Sequence, residues 1–164
     1  MILIGIGGNL DSPRFGPPRE TLTAALAALE REGIGILARS GWYRSEPVPP
    51  SSQPWFVNAV VSVAIELGAS ELLAKLQTVE TDFGRVRGER NAARILDLDL
   101  LGYESTVVRT HSLALPHPRL HERRFVLVPL AEIAPSWRHP VFGLTAVELL
   151  ARLPTDQQIE PLPC

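Results

Sequence analysis

The chain has 164 residues, 45% hydrophobic and 21% charged, which fits a single globular domain long enough to bury a core. A formal net charge of −2 gives no electrostatic reason to expect nucleic acid, and the lone Cys164 excludes an internal disulfide framework or a cysteine-based zinc site. No apolar run is long enough to span a bilayer and no basic leader precedes the first strand, so a cytoplasmic protein without a membrane partner is expected.

Ile2 to Ile6 is a short apolar run that predicts a strand, followed by a tight turn at Gly7-Gly8-Asn9. Leu22, Leu26 and Leu29 recur at helical spacing from about Arg19 to Arg31. Ile34 to Ser45 predicts a strand, and the proline-rich stretch 46–54 a loop. Phe56 to Leu67 is the clearest strand. Ser70 is the expected cap of a helix that runs to Phe83 and closes at Gly84. A polar loop from Arg85 to Arg94 leads into a strand from Ile95 to Tyr103. A short hairpin is expected between Gly102 and Val108, then helices over Phe125–Ile133 and Thr145–Leu153. Residues 154–164 read as a loose tail of a single domain, 1–164. The order strand, helix, strand, strand, helix, strand is the ferredoxin-like βαββαβ pattern, an α+β fold with helices on one sheet face. The C-terminal hairpin and helices are additions to it.

Strand parity sorts the side chains. Val57, Ala59, Val61, Val63 and Ile65 form an apolar set for the helix-covered face, leaving Phe56, Asn58, Val60 and Ser62 opposite. Leu96, Leu98 and Leu100 likewise alternate with Asp97 and Asp99. Phe56, Asn58, Asp97 and Asp99 are therefore expected to share the face away from the helices. Asp is depleted in strands, and two carboxylates roughly 6.5–7 Å apart on one face repel unless a cation sits between them. Such a pair suits Mg²⁺, which takes one or two carboxylates together with phosphates and water.

The chain is rich in arginine and has one lysine, Lys75. Alone, Arg85, Arg87, Arg90 and Arg94 would read as a solubilising loop. Beside the aspartates they form a candidate phosphate clamp. Gln77 and Glu80 lie on one helix face close to Arg85. His117, rigid between Pro116 and Pro118, travels with Arg119, Arg123 and Arg124. Phe56 can stack on a planar ring, and Asn58 can bond a heterocycle edge. Asp82-Phe83-Gly84 matches a kinase motif only in letters, and no Walker A sequence is present, so any nucleotide is held without a P-loop.

Together these motifs resemble the 6-hydroxymethyl-7,8-dihydropterin pyrophosphokinases of folate biosynthesis, from Ile2 to about Pro135. The resemblance rests on Ile4-Gly5-Ile6-Gly7-Gly8-Asn9-Leu10, Tyr43-Arg44-Ser45-Glu46-Pro47 and Gln53-Pro54-Trp55-Phe56-Val57-Asn58. It continues through Gly84-Arg85-Val86-Arg87, Arg94-Ile95-Leu96-Asp97-Leu98-Asp99, Leu115-Pro116-His117-Pro118 and Arg123-Arg124-Phe125 to Pro135. It implies pyrophosphoryl transfer from ATP to the pterin hydroxymethyl group, with release of AMP. Asp97 and Asp99 would hold two Mg²⁺ ions, with Arg85 and Arg94 as further catalytic groups. Gln77, Glu80, Arg87, Arg90, Arg94, Leu100, His117 and Arg123 would line the ATP side. Phe56 and Phe125 would sandwich the pterin, Asn58 would read its edge, and Ser45, Glu46, Pro47 and Val48 would complete the pocket. A monomer is expected.

Two positions depart from the family pattern. Gly8 stands where serine is usual, and Arg90-Asn91-Ala92-Ala93-Arg94 lacks the usual lid tryptophan. Altered lid closure is the expected consequence. The alternatives are a pyrophosphokinase of changed substrate preference and a ferredoxin-like module that senses nucleotide without turnover. The retained acids and arginines argue against the second.

Overall fold

The centre of the molecule is a strand that glycine and isoleucine build together. β1 (Ile2–Gly8) alternates Ile2, Ile4 and Ile6 with Leu3, Gly5 and Gly7, so its two faces differ sharply. The structure, a computed structural model, describes residues 1–85 and 92–163. After β1 come α1 (Pro18–Arg31), β2 (Gly35–Arg39), β3 (Tyr43–Ser45), β4 (Phe56–Ala64), α2 (Ala69–Asp82) and β5 (Asp97–Tyr103). The chain continues through β6 (Val108–Arg109), β7 (Ala114–Leu115), a 3₁₀ turn at Leu120–Glu122, α3 (Arg124–Ile133), α4 (Ala146–Ala151) and β8 (Ile159–Pro161).

The main sheet has the order β5-β1-β4-β3-β8, with β2 also paired to β4. β1 runs antiparallel to β4 and to β5, so Gly7 sits between Asn58 and Asp97, and Gly5 between Val60 and Asp99. This is the ferredoxin-like βαββαβ core expected from the sequence.

Two apolar layers hold the sheet. On one face Ile2, Ile4, Ile6, Ala59, Val61, Val63, Leu98 and Leu100 pack under Leu22 and Leu29 of α1 and Leu72, Leu76 and Val79 of α2. On the other, Leu3, Val60 and Leu101 pack under Val126, Leu127 and Leu130 of α3 and Leu149 of α4. α3 and α4 therefore cover part of the second face. The rest, over Gly5, Gly7, Asn58, Asp97 and Asp99, stays open as a cavity.

Three local expectations are corrected. The strand expected over Ile34–Ser45 is two strands, β2 and β3, both on β4. Ser40 fills the break: its backbone N–H donates to Val60 O at 2.9 Å and its Oγ accepts Val60 N–H at 3.0 Å. The hairpin lies later than expected, pairing Val108 with Leu115 and Arg109 with Ala114. The segment read as a loose tail carries β8, whose Ile159, Glu160 and Pro161 pair with Ser45, Arg44 and Tyr43. Polar residues and Pro154, Pro161 and Pro163 conceal that edge strand, because its partner β3 lies more than a hundred residues earlier in the chain.

Candidate active site

Between β5, β4 and the start of α3 lies a cavity of about 350 Å³. Its floor is the glycine side of β1. A Cβ at Gly7 would stand 2.6 Å from Asn58 Oδ1, so only glycine lets the Asn58 amide lie across the strand. A Cβ at Gly8 would stand 2.3 Å from the Ile95 carbonyl oxygen. The residue that replaces the family's usual serine thus permits close approach of the 94–95 backbone.

Asp97 and Asp99 both line the cavity, as parity requires. They differ in their partners. Asp97 Oδ1 accepts from Arg85 Nη1 at 3.0 Å and Arg94 Nη1 at 3.1 Å. The Asp99 carboxylate meets no hydrogen-bond donor among the described residues. Burial first, and then the neighbouring Asp97 charge, push its pKa up to about 7. An unpaired acid of this kind is the arrangement a divalent cation relieves.

Glu80 lies behind this pair. It is buried, accepting Leu98 N–H at 2.8 Å and a short hydrogen bond from Arg85 Nη1. Burial dominates in raising its pKa to about 7. Glu80 thus ties α2 to β5 and orients Arg85 toward Asp97, without lining the cavity.

The phosphate-side candidates gather on the facing wall. His117, Arg119, Arg123 and Arg94 all line the cavity. His117 Nδ1 accepts Arg119 N–H at 3.1 Å, which leaves its proton on Nε2. Burial, helped by the Arg123 charge, lowers its pKa to about 4, so the ring is neutral at pH 7 and offers an Nε2–H donor. Arg123 Cζ lies 5.3 Å from the Phe125 ring centroid, within cation–π reach.

The other end of the cavity is planar and less charged. Phe56, Phe125, Asn58 and Ser45-Glu46-Pro47-Val48 line it. Asn58 is buried, and its Nδ2 donates to Ser45 Oγ at 2.6 Å, which fixes the amide. Its Oδ1 lies close over Gly7 on the cavity floor.

Some candidates stand elsewhere. Gln77 is exposed on α2 and Leu100 lies in the core beneath α1 and α2; neither lines the cavity. Arg87, Arg90 and Asn91, and with them the altered lid, lie outside the described residues. One residue had no assigned role from sequence. Asn9, 3% exposed, donates Nδ2 to Gln53 Oε1 and Pro54 O, both at 3.0 Å, and accepts Arg94 N–H at 2.8 Å. It clasps the 46–55 loop to Arg94. A polar residue straight after an apolar strand was the available signal, but its partners lie 44 and 85 residues away.

Comparison with known proteins bears on the family and the fold. Residues 3–135 match the model of the 7,8-dihydro-6-hydroxymethylpterin-pyrophosphokinase (HPPK) family. A 2-amino-4-hydroxy-6-hydroxymethyldihydropteridine pyrophosphokinase from Synechocystis is 40% identical over 152 residues, 92% of this chain and 75% of the relative. One of the same name from Pseudomonas aeruginosa is 40% identical over 163 residues, 99% of this chain and 96% of the relative. The crystal structure of Plasmodium falciparum HPPK-DHPS superposes with a TM-score of 0.66 at 13% identity, over 92% of this chain and 40% of that longer one, which shows the shared fold. No described helix is long and apolar enough to cross a membrane. By sequence match along most of its length, the chain belongs to the 7,8-dihydro-6-hydroxymethylpterin-pyrophosphokinase family, the folate-biosynthesis enzymes that use ATP and hydroxymethyldihydropterin.

Proposed function

We propose that pyrophosphoryl transfer takes place in this cavity, with the triphosphate at the Asp97–Asp99 end and the pterin between Phe56 and Phe125. One observation carries the assignment: the two strand aspartates open onto the same cavity as Asn58 and the two rings. In the reaction the pterin hydroxyl oxygen attacks the β-phosphorus of ATP. The bond from that phosphorus to the α–β bridging oxygen breaks, AMP leaves with the electron pair, and the hydroxyl proton is released. Such a transfer needs positioning and charge neutralisation more than covalent chemistry.

The chain's residues fit Mg²⁺, since the half-buried Asp99 meets no donor among the described residues and Asp97 adds a second carboxylate. Two ions are proposed; when bound they would neutralise and align the triphosphate. Arg85 and Arg94, which share Asp97 Oδ1, are the catalytic guanidinium groups, placed to offset phosphate charge beside the carboxylate that would hold the metal. His117 offers Nε2–H to a phosphate oxygen, and Arg123 supplies a fixed positive charge. Arg87 and Arg90 complete the phosphate side in this proposal. Glu80 acts through Arg85, and Gln77 and Leu100 stay in the proposed ATP-side set from positions outside the cavity lining.

At the pterin end Asn58 is held by Ser45 to bond the heterocycle edge, and the backbone of 45–48 borders it. Aromatic faces on both sides favour a planar ring by stacking. The assembly is proposed to work as a monomer in the cytoplasm, with both aspartates, Asn58 and both rings supplied by one chain. The test is AMP formation from ATP and hydroxymethyldihydropterin across an Mg²⁺ titration, with sedimentation of the same sample. Activity is expected to vanish with chelator and return with Mg²⁺. Undiminished turnover in excess chelator would refute the metal assignment.

A further inference from the structure

The N-terminus of α3 carries Arg123 and Phe125 into the cavity, yet Arg123, its N-cap residue, makes no side-chain capping bond. An uncapped helix start leaves backbone donors without partners. The missing partner comes from the far end of the chain. Gln157 Oε1 accepts Arg124 N–H at 2.9 Å, and Gln157 Nε2 donates to Glu122 O at 2.9 Å. The Gln157 carbonyl also accepts Arg124 Nη1 at 3.0 Å. One glutamine thus brackets the residues on either side of Arg123.

Its neighbour holds the opposite wall. Gln158 N–H donates to Glu46 Oε1 at 2.9 Å, and Gln158 O accepts Glu46 N–H at 3.1 Å. β8 then pairs Ile159 with Ser45, the residue that fixes Asn58. Two consecutive residues therefore grip both sides of the same opening: the start of α3 beneath Phe125, and the Glu46-Pro47-Val48 border. This segment lies beyond residue 135, where the family match ends.

We propose that Gln157, with β8, is a positioning element that sets the width of the pterin pocket by capping α3 from the C-terminal segment. This rests on the reading that the pterin lies between Phe56 and Phe125. Gln157 touches neither substrate in that reading. Its effect runs through the first turn of α3 and falls on pterin binding rather than on the phosphate end.

The experiment is steady-state kinetics of the full chain carrying Gln157→Ala, with both substrates varied. Loss of a helix cap is expected to raise the pterin KM about three- to tenfold, with the ATP KM and kcat within about twofold. Gln157→Glu keeps the acceptor for Arg124 N–H and should restore most of the pterin affinity. Should Gln157→Ala fail to fold, Gln157→Asn, one methylene too short to span the gap, carries the same expectation. A merely structural role would lower thermal stability and move both KM values together, which would overturn the proposal, as would unchanged KM values. Phe125→Ala separates the two readings. If it raises the pterin KM while the Gln157 variants do not, the positioning role alone fails. If it leaves the pterin KM unchanged, the pocket assignment fails and the proposal with it.

Discussion

The two faces of β1 are built from alternate residues of one seven-residue strand, yet they do opposite things. Toward α1 and α2, Ile2, Ile4 and Ile6 are at most 6% exposed and join one apolar cluster. Toward α3, Gly5 and Gly7 clear a floor on which Asn58, Asp97 and Asp99 stand. The first face concentrates stabilising burial. The second concentrates groups that burial penalises, above all an acid with no donor. Folding energy and chemistry are thus separated by less than the thickness of a sheet, and the separation is carried by the period-two alternation of the strand.

That contrast makes its sharpest prediction in a pair of substitutions. Asp99→Asn keeps the shape of the polar face but removes a charge, and activity should fall on the order of 10³-fold, the scale for losing a central electrostatic group. Thermal stability should hold or rise, because a partly desolvated carboxylate beside the like-charged Asp97 is gone. Leu72→Ala does the reverse. It should cost about 3 kcal/mol in denaturant unfolding while both KM values stay at wild type. If Asp99→Asn proved strongly destabilising, or Leu72→Ala shifted KM, the division between the faces would not hold.

Gly7→Ala probes the boundary itself. The new methyl group would meet Asn58 Oδ1 at 2.6 Å and push the amide off Ser45 Oγ. The pterin KM should rise about tenfold, the cost of one misplaced polar contact, with a smaller change for ATP. Equal effects on both substrates would mean that the floor serves the whole cavity rather than the heterocycle end.

Much of this was legible from sequence because it is periodic. Parity alone put Phe56, Asn58, Asp97 and Asp99 on one face, and an acid pair in a leucine-rich strand is too unfavourable to be incidental. What parity cannot tell is how much of that face a later helix will cover. Leu3, Val60 and Leu101 have the same parity as the site but lie under α3, a choice made by Val126, Leu127 and Leu130 far along the chain. The clasp of Asn9 and the grip of Gln157 were illegible for the same reason. Each is a polar side chain whose partner is distant in sequence, and polar residues in loops carry no period. The break at Ser40 has no local signal either, because the short stretch between Arg39 and Tyr43 stays beside β4 through Val60.

The smallest effect lies in the layer that covers the second face. His139, 2% exposed, follows α3 and stacks on Phe142 with ring centroids 4.3 Å apart. Its Nδ1 accepts the Val141 and Phe142 N–H groups, both at 3.2 Å, so protonation of that atom would break both bonds. Burial, with the neighbouring His121, lowers its pKa to about 4. The unfolded chain takes up this proton near pH 6.5 while the folded chain refuses it until about pH 4, so stability is full above pH 6.5 and is lost as the pH falls through that window. Between pH 7 and pH 5.5 the loss from this one group should be about 1 kcal/mol. His139→Asn supplies an uncharged acceptor in place of Nδ1 and should flatten that part of the stability curve, measured by denaturant unfolding at each pH. Because His117 titrates in the same direction but in the cavity wall, it remains in both proteins and cancels. If the two curves stayed parallel, the acid sensitivity of the fold would belong to the site face, and the covering layer would be as indifferent to pH as the leucine layer beneath α1 and α2.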